Sequence, residues 1–252
     1  MLLAEHVTKI YGQGKNAVCA VKDASLQLIP GELTVLVGES GSGKTTLSRM
    51  LAGILSPTEG TVMLDGKSIA PPARKKDKEL CARIQMVLQD GKSALDPHFS
   101  VYRSIAEPIR NLLQMPKQTE RDLVFSLMES VELSADLADR TSAALSGGQQ
   151  KRVGIARALA PSPGYLIFDE VTSGLDVLLK EKILSLIRRL HQKSGAATLM
   201  ITHDMDVALY MADRILVMQN GEIVEDRRYT GDSSCLTHPY SRLLLRAMNP
   251  DP

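Results

Sequence analysis

Apolar positions recur along the chain with two different periods, and the places where the period changes predict its elements. Leu33-Thr34-Val35-Leu36-Val37 is a short, nearly continuous apolar run, the appearance of a strand buried on both faces of a parallel sheet. Just beyond it, Leu47, Met50, Leu51 and Ile54 follow the spacing of an amphipathic helix. Leu2 to Tyr11 reads as a strand ending in the turn Gly12-Gln13-Gly14, and Ala24 to Ile29 as a second strand before Pro30-Gly31, the two antiparallel. From Ser100 to about Leu137 the pattern is helical throughout, through Ile105, Ile109, Leu112 and Leu113 and then Leu123, Leu127 and Val131. Strand and helix alternate again afterwards: Leu166-Ile167-Phe168, then Lys180 to Gln192, then Thr198 to Ile201. Asp213 to Glu225 reads as a hairpin turning at Asn220-Gly221, a dipeptide suited to positive φ. The expected fold is α/β: a core with a mixed or parallel sheet, an N-terminal antiparallel β subdomain and an inserted α-helical subdomain at about residues 95–160. One domain is expected over residues 1–252, with a C-terminal tail from about 226.

Composition narrows the function classes. The chain has 252 residues, 44% hydrophobic and 23% charged, enough for a core that folds without a staple. Cys19, Cys81 and Cys235 are scattered and form no CxxC pair, which argues for a reducing compartment and against a disulfide or zinc framework. The formal charge of +1 provides no broad footprint for nucleic acid. The basic run Arg74-Lys75-Lys76-Asp77-Lys78 is interrupted by an acid and reads as a solvated helix face. No apolar run approaches the roughly 18 residues that span a bilayer, and the first residues do not resemble a signal peptide, so any membrane role is expected to be peripheral.

Gly38-Glu39-Ser40-Gly41-Ser42-Gly43-Lys44-Thr45-Thr46 fits the phosphate-binding loop pattern and sits between the apolar run and the amphipathic helix. Its glycines let successive backbone N–H groups turn inward around phosphates, and the helix N-terminus adds a dipole that favours anions. Lys44 is then suited to the β- and γ-phosphates and Thr45 to Mg²⁺. A second constellation is the apolar segment Tyr165 to Phe168 ending in Asp169 and Glu170; Asp169 could hold Mg²⁺ and Glu170 could polarise an attacking water. Paired acids also end strands as surface or capping residues. A third is Leu145-Ser146-Gly147-Gly148-Gln149, followed by Gln150-Lys151-Arg152 and by Ile155, Ala156 and Leu159 at helical spacing. It supplies a hydroxyl and unobstructed N–H groups at the positive end of a helix, or it is only a tight helix cap. Two anion-binding helix starts suit one nucleotide if the second serves a nucleotide held by another subunit.

Together these residues resemble the nucleotide-binding subunit of the ABC transporter superfamily, whose hallmark is the LSGGQ signature. The resemblance covers nearly the whole chain, with the elements in the family's order, and implies a P-loop NTPase core binding ATP and Mg²⁺. By resemblance, Tyr11 stacks on adenine and Gln89 senses Mg²⁺ and the permease. Asp176, in Ser173-Gly174-Leu175-Asp176, belongs to the loop after the acid pair, and His203, in Ile201-Thr202-His203-Asp204, is the switch histidine. Ser146, Gly147, Gly148 and Gln149 would face the nucleotide of an opposing subunit, and the catalytic set would be Glu170, His203, Lys44 and Gln89. The implied partners are a second ATPase subunit, identical or a paralogue, two transmembrane permease subunits and, indirectly, an extracytoplasmic substrate-binding protein. The implied location is the cytoplasmic face of the inner membrane.

The segment Gln89 to Pro97, Glu107-Pro108 and the tail His238-Pro239-Tyr240-Ser241-Arg242-Leu243-Leu244 resemble ATPases of the peptide/nickel importer group. Many peptide-importing members continue into a cysteine-rich extension, which favours nickel or metal-chelate cargo here, with di- or oligopeptide import the alternative. A soluble ABC ATPase would be expected to carry a long coiled coil or a second phosphate loop, and neither pattern occurs. A small-molecule kinase has no use for LSGGQ, and a regulatory module without catalysis has no use for Glu170 and His203.

Overall fold

The computed structural model describes residues 1–69, 77–88 and 95–248. In chain order its elements are β1 (Leu2–Tyr11), β2 (Val18–Leu28), β3 (Leu33–Val37), α1 (Lys44–Leu51), β4 (Glu59–Leu64), β5 (Lys67–Ser68), α2 (Lys78–Arg83) and β6 (Ile84–Val87). There follow α3 (Val101–Pro108), a π-helical segment (Ile109–Leu113), α4 (Lys117–Ser130), α5 (Gly147–Leu159), β7 (Tyr165–Asp169) and α6 (Val177–Ser194). The chain closes with β8 (Ala197–Thr202), α7 (Met205–Met211), β9 (Arg214–Gln219), β10 (Glu222–Arg228) and α8 (Pro239–Met248). Two compact units result, Met1–Lys76 with Ala197–Pro252, and Asp77–Ala196.

The first unit holds an antiparallel sheet in the order β2-β1-β4-β5. β1 buries Leu2 and Ala4, then switches register at a bulge and buries Val7 instead of residue 6. The extra residue shifts the alternation by one, and His6, with φ 51°, sits at that break. In the same unit β3 lies between β8 and β9, parallel to both, while β10 returns antiparallel on β9. β3 and β8 are buried along their whole lengths, which is why the Leu33–Val37 run has no polar alternation. The hairpin turns at Asn220 and Gly221, both at positive φ.

The second unit pairs β6 and β7 in parallel and carries α2 to α6. Ser100 caps α3 by accepting from the Arg103 N–H, and α3 packs on α5 with Arg157 on Glu107. The helical pattern over 100–137 is realised, with Ile105, Ile109 and Val131 of the spaced positions fully buried. α4 turns Glu120, Val124 and Met128 inward, and Leu123 and Leu127 flank that stripe. Burial of Glu120 is compensated because Arg110 donates to both its oxygens, at 2.8 and 2.6 Å, and Tyr102 donates at 2.9 Å. Ile54 also departs from expectation: α1 ends at Leu51, and Ile54 lies beyond it, half exposed. Of the basic run, Arg74 to Lys76 lie outside the described residues, while Asp77 accepts from Leu80 N–H as the cap of α2.

Candidate active site

In the first unit, the loop between β3 and α1 closes around its own lysine. Lys44 is buried, and its ammonium donates to the carbonyls of Gly38 at 2.7 Å and Glu39 at 2.6 Å and approaches Ser42 Oγ at 3.4 Å. The glycines at either end of the loop have steric reasons. A Cβ on Gly38 would meet the Met218 carbonyl, and one on Gly43, at φ 105°, would meet the Ala20 carbonyl. The hairpin turn pins the loop from outside, since Gly221 N–H donates to Ser42 O at 3.0 Å and Gly221 O accepts from Lys22 N–H at 2.8 Å. Ser40 and Gly41 are exposed, and Thr45 and Thr46 are half-buried at the start of α1.

β3 and β8 run parallel with Val37 paired to Thr202. Gly38 and His203 therefore follow register-matched residues at the carboxyl ends of neighbouring strands, where open α/β sheets bind ligands. His203 is exposed, and Asp204 caps α7 by accepting from Asp206 and Val207 N–H. Tyr11 ends β1 with its side chain exposed, and the Lys9 ammonium lies 5.5 Å from its ring centroid.

In the second unit Asp169 is the buried last residue of β7. Glu170 follows at φ 46°, a left-handed conformation uncommon for a non-glycine residue. Its carbonyl accepts from Ser173 N–H at 3.0 Å. Asp176 caps α6 by accepting from Leu179 N–H at 2.9 Å. Ser146 and Gln149 form a reciprocal capping box at the start of α5: Ser146 Oγ accepts from Gln149 N–H at 3.3 Å and Gln149 Oε1 from Ser146 N–H at 2.9 Å. Gly147 is exposed with open space where a Cβ would be, whereas Gly148 packs against Leu179. The signature helix thus meets the helix that Asp176 caps.

The second unit also brings in Lys151, which sequence reasoning passed over as part of a helix. Its ammonium donates to Val171 O at 2.5 Å and Ser173 O at 3.4 Å. In the first unit Tyr240 was missed likewise, because its contact with Glu39 spans 201 residues. Gln89 lies outside the described residues, as do residues 90–94 of the segment that resembles the importer group. Among the described residues no group of three or more His, Cys, Asp or Glu could hold a metal ion, and no helix is long and apolar enough to cross a membrane.

A family model described as ABC transporter matches residues 21–173, more than half of the chain. The chain is 40% identical over 255 residues to the nickel import ATP-binding protein NikE of Pseudomonas putida, covering 99% of this chain and 93% of that protein. It is 38% identical over 260 residues to a probable peptide ABC transporter ATP-binding protein, y4tS, of Sinorhizobium fredii, covering all of this chain and 74% of that one. Among solved structures, the dimeric post-hydrolysis state of the ATP-binding cassette MJ0796 bound to ADP and Pi superposes with a TM-score of 0.80 at 31% identity, over 92% of this chain and 100% of that one. The phosphate loop around Lys44, the capped signature helix and these likenesses lead to one conclusion: the chain belongs to the ABC transporter family, as an ATP-binding, ATP-hydrolysing subunit.

Proposed function

We propose that this subunit powers import of nickel or a metal chelate through partner permeases, by hydrolysing MgATP between two ATPase subunits at the cytoplasmic face of the membrane. The observation that carries the ATPase part is the Lys44 ammonium held by the main-chain carbonyls of Gly38 and Glu39. Those carbonyls stand in for anionic oxygens, and a triphosphate offers the ammonium stronger, charge-assisted partners. The loop N–H groups and the α1 dipole then face the same anion. Hard oxygen donors from Thr45 and Asp169 suit Mg²⁺, which characteristically takes few protein ligands beside substrate phosphates. When bound, Mg²⁺ would draw negative charge from the β- and γ-phosphate oxygens.

Each residue then has a task of its own. Glu170 orients the attacking water, and His203 donates toward the γ-phosphate. Gln89 senses Mg²⁺ and the permease, Tyr11 stacks on adenine, Asp176 belongs to the loop after the acid pair, and Ser146 to Gln149 form the face offered to the second subunit's nucleotide. The dimeric neighbour bound to ADP and Pi supports a two-subunit site. The helices between residues 95 and 160 carry the motion to two permeases that receive cargo from an extracytoplasmic binding protein.

Nickel is favoured by the likeness to the nickel import relative, 40% identical, beside 38% for the peptide relative. Peptide import is the second reading, favoured by that same peptide-transporter likeness. The test compares Glu170→Gln with the unmodified chain, with the permeases and partner ATPase present and absent. The expected result is retained MgATP binding, a trapped closed dimer and hydrolysis at least roughly a hundredfold slower. Turnover indifferent to Glu170, or full activity as a monomer, would sink the two-subunit mechanism. Uptake of radioactive nickel against labelled dipeptide by cells carrying the complete transporter decides the cargo.

A further inference from the structure

The C-terminal helix reaches the phosphate loop. Glu225 on β10 has a nearly completely buried side chain, and its Oε1 accepts from Thr237 N–H at 2.6 Å, Thr237 Oγ1 at 3.2 Å and His238 N–H at 3.1 Å. A carboxylate from another element therefore caps the entry to α8, where Pro239 opens the helix without a donor to satisfy. His238 Nδ1 accepts from Tyr240 N–H at 3.3 Å. The first turn so anchored carries Tyr240, buried, with its hydroxyl oxygen accepting from Glu39 N–H at 3.2 Å.

The bonded N–H belongs to the same peptide group as the Gly38 carbonyl, which accepts from Lys44 Nζ at 2.7 Å. One peptide plane of the phosphate loop is thus held from both sides, by the lysine within and the tyrosine outside. We infer that Tyr240 is a positioning residue for nucleotide binding: it keeps the Gly38–Glu39 peptide in place when Lys44 leaves its carbonyls for phosphate. The hairpin holds the loop at Ser42, but once the lysine leaves, the Gly38–Glu39 peptide can rotate into the cradle unless the tyrosine holds it, so binding has to turn it back. With the hold in place, the cradle is formed before the ligand arrives. The α8 tail also packs on α7, the helix that follows His203, so the tail abuts two of the elements expected to sense the γ-phosphate.

This inference rests on the ATPase reading. The test measures MgADP binding to the full chain by calorimetry, ATP hydrolysis by the assembled transporter, and thermal unfolding, for the unmodified chain, Tyr240→Phe and Leu243→Ala. Phenylalanine keeps the buried ring and removes only the hydroxyl, while Leu243 is 58% exposed on the same helix and serves as control. The expected result for Tyr240→Phe is a Kd for MgADP and a KM for ATP each raised about fivefold, with kcat within about twofold and little change in Tm. Leu243→Ala should leave all of these unchanged. Unaltered Kd and KM in Tyr240→Phe, or a lower kcat at unaltered KM, overturns the inference while leaving the ATPase reading intact. Failure of the unmodified chain to bind MgADP overturns that reading and the inference with it. Glu225→Gln, which weakens the anchor without touching the tyrosine, should move Kd in the same direction; a Kd that stays put in both variants is decisive against the tail.

Discussion

The ammonium of Lys151 donates to the carbonyl of Val171 at 2.5 Å, tying the helix that opens at Ser146 to the loop that follows Glu170. Its second acceptor, Ser173 O, belongs to the residue whose N–H returns to Glu170 O. Lys151 therefore holds the turn that keeps Glu170 in its left-handed conformation. Lys151→Met should lower kcat for ATP about tenfold while changing Kd for MgADP less than about twofold, because a small displacement of a water-orienting group costs rate and not ground-state binding. Lys151→Arg should restore much of the rate. Steady-state hydrolysis by the assembled transporter, with calorimetry, checks this.

Gly43 stands where two constraints meet, a φ of 105° and the Ala20 carbonyl in the place of a Cβ. Gly43→Ala should cost more than about 2 kcal/mol of stability and abolish measurable MgADP binding, because the loop must move to admit the methyl group. Urea unfolding and calorimetry read the two effects. Gly147→Ala, where a Cβ meets open space, should leave folding close to normal.

Ser146 caps α5 on the exposed surface. Ser146→Ala should lower stability by about 1 kcal/mol, measured by urea unfolding. If the hydroxyl also serves the opposing nucleotide, hydrolysis by the dimer falls by more than the lost stability explains, and MgADP binding to the isolated subunit stays normal. A hydrolysis rate unaffected by the change would leave Ser146 as a cap alone.

The hydrogen bond from Arg110 holds the Glu120 carboxyl below its ordinary value of 4.5, helped by Tyr102 and opposed by burial. A depressed carboxylate pKa stabilises the fold fully above its unfolded value and loses that contribution as pH falls through the folded one. The gap in urea midpoint between the unmodified chain and Glu120→Gln should therefore be widest near about pH 7 and shrink below about pH 4. A gap independent of pH would mean that packing, and not the ion pair, sets the cost.

Much of the architecture is legible because short-range periodicity encodes burial. The Leu33–Val37 run, the Asn220-Gly221 turn and the phosphate loop between strand and helix are local patterns, and each appears where the pattern places it. The signature is also local, since Ser146 and Gln149 satisfy each other within one helical turn.

Other features depend on what lies across the fold. The buried stripe of α4 includes Glu120, whose carboxylate takes its partners from Arg110 and Tyr102, and apolar spacing marked Leu123 and Leu127, which flank that stripe, along with the buried Val131. The bulge that moves burial on β1 from Ala4 to Val7 depends on pairing with β4. Chemistry at the loop was readable from Gly38 to Thr46, because backbone geometry and residue type there are set within a few residues. The grip of Tyr240 on Glu39 was not, because a hydrogen bond between residues 201 apart leaves no periodicity behind. The sequence by itself determined the elements and the chemistry each could offer; only the tertiary structure, by bringing distant backbone groups within hydrogen-bonding distance, decided which side chains hold that chemistry in place.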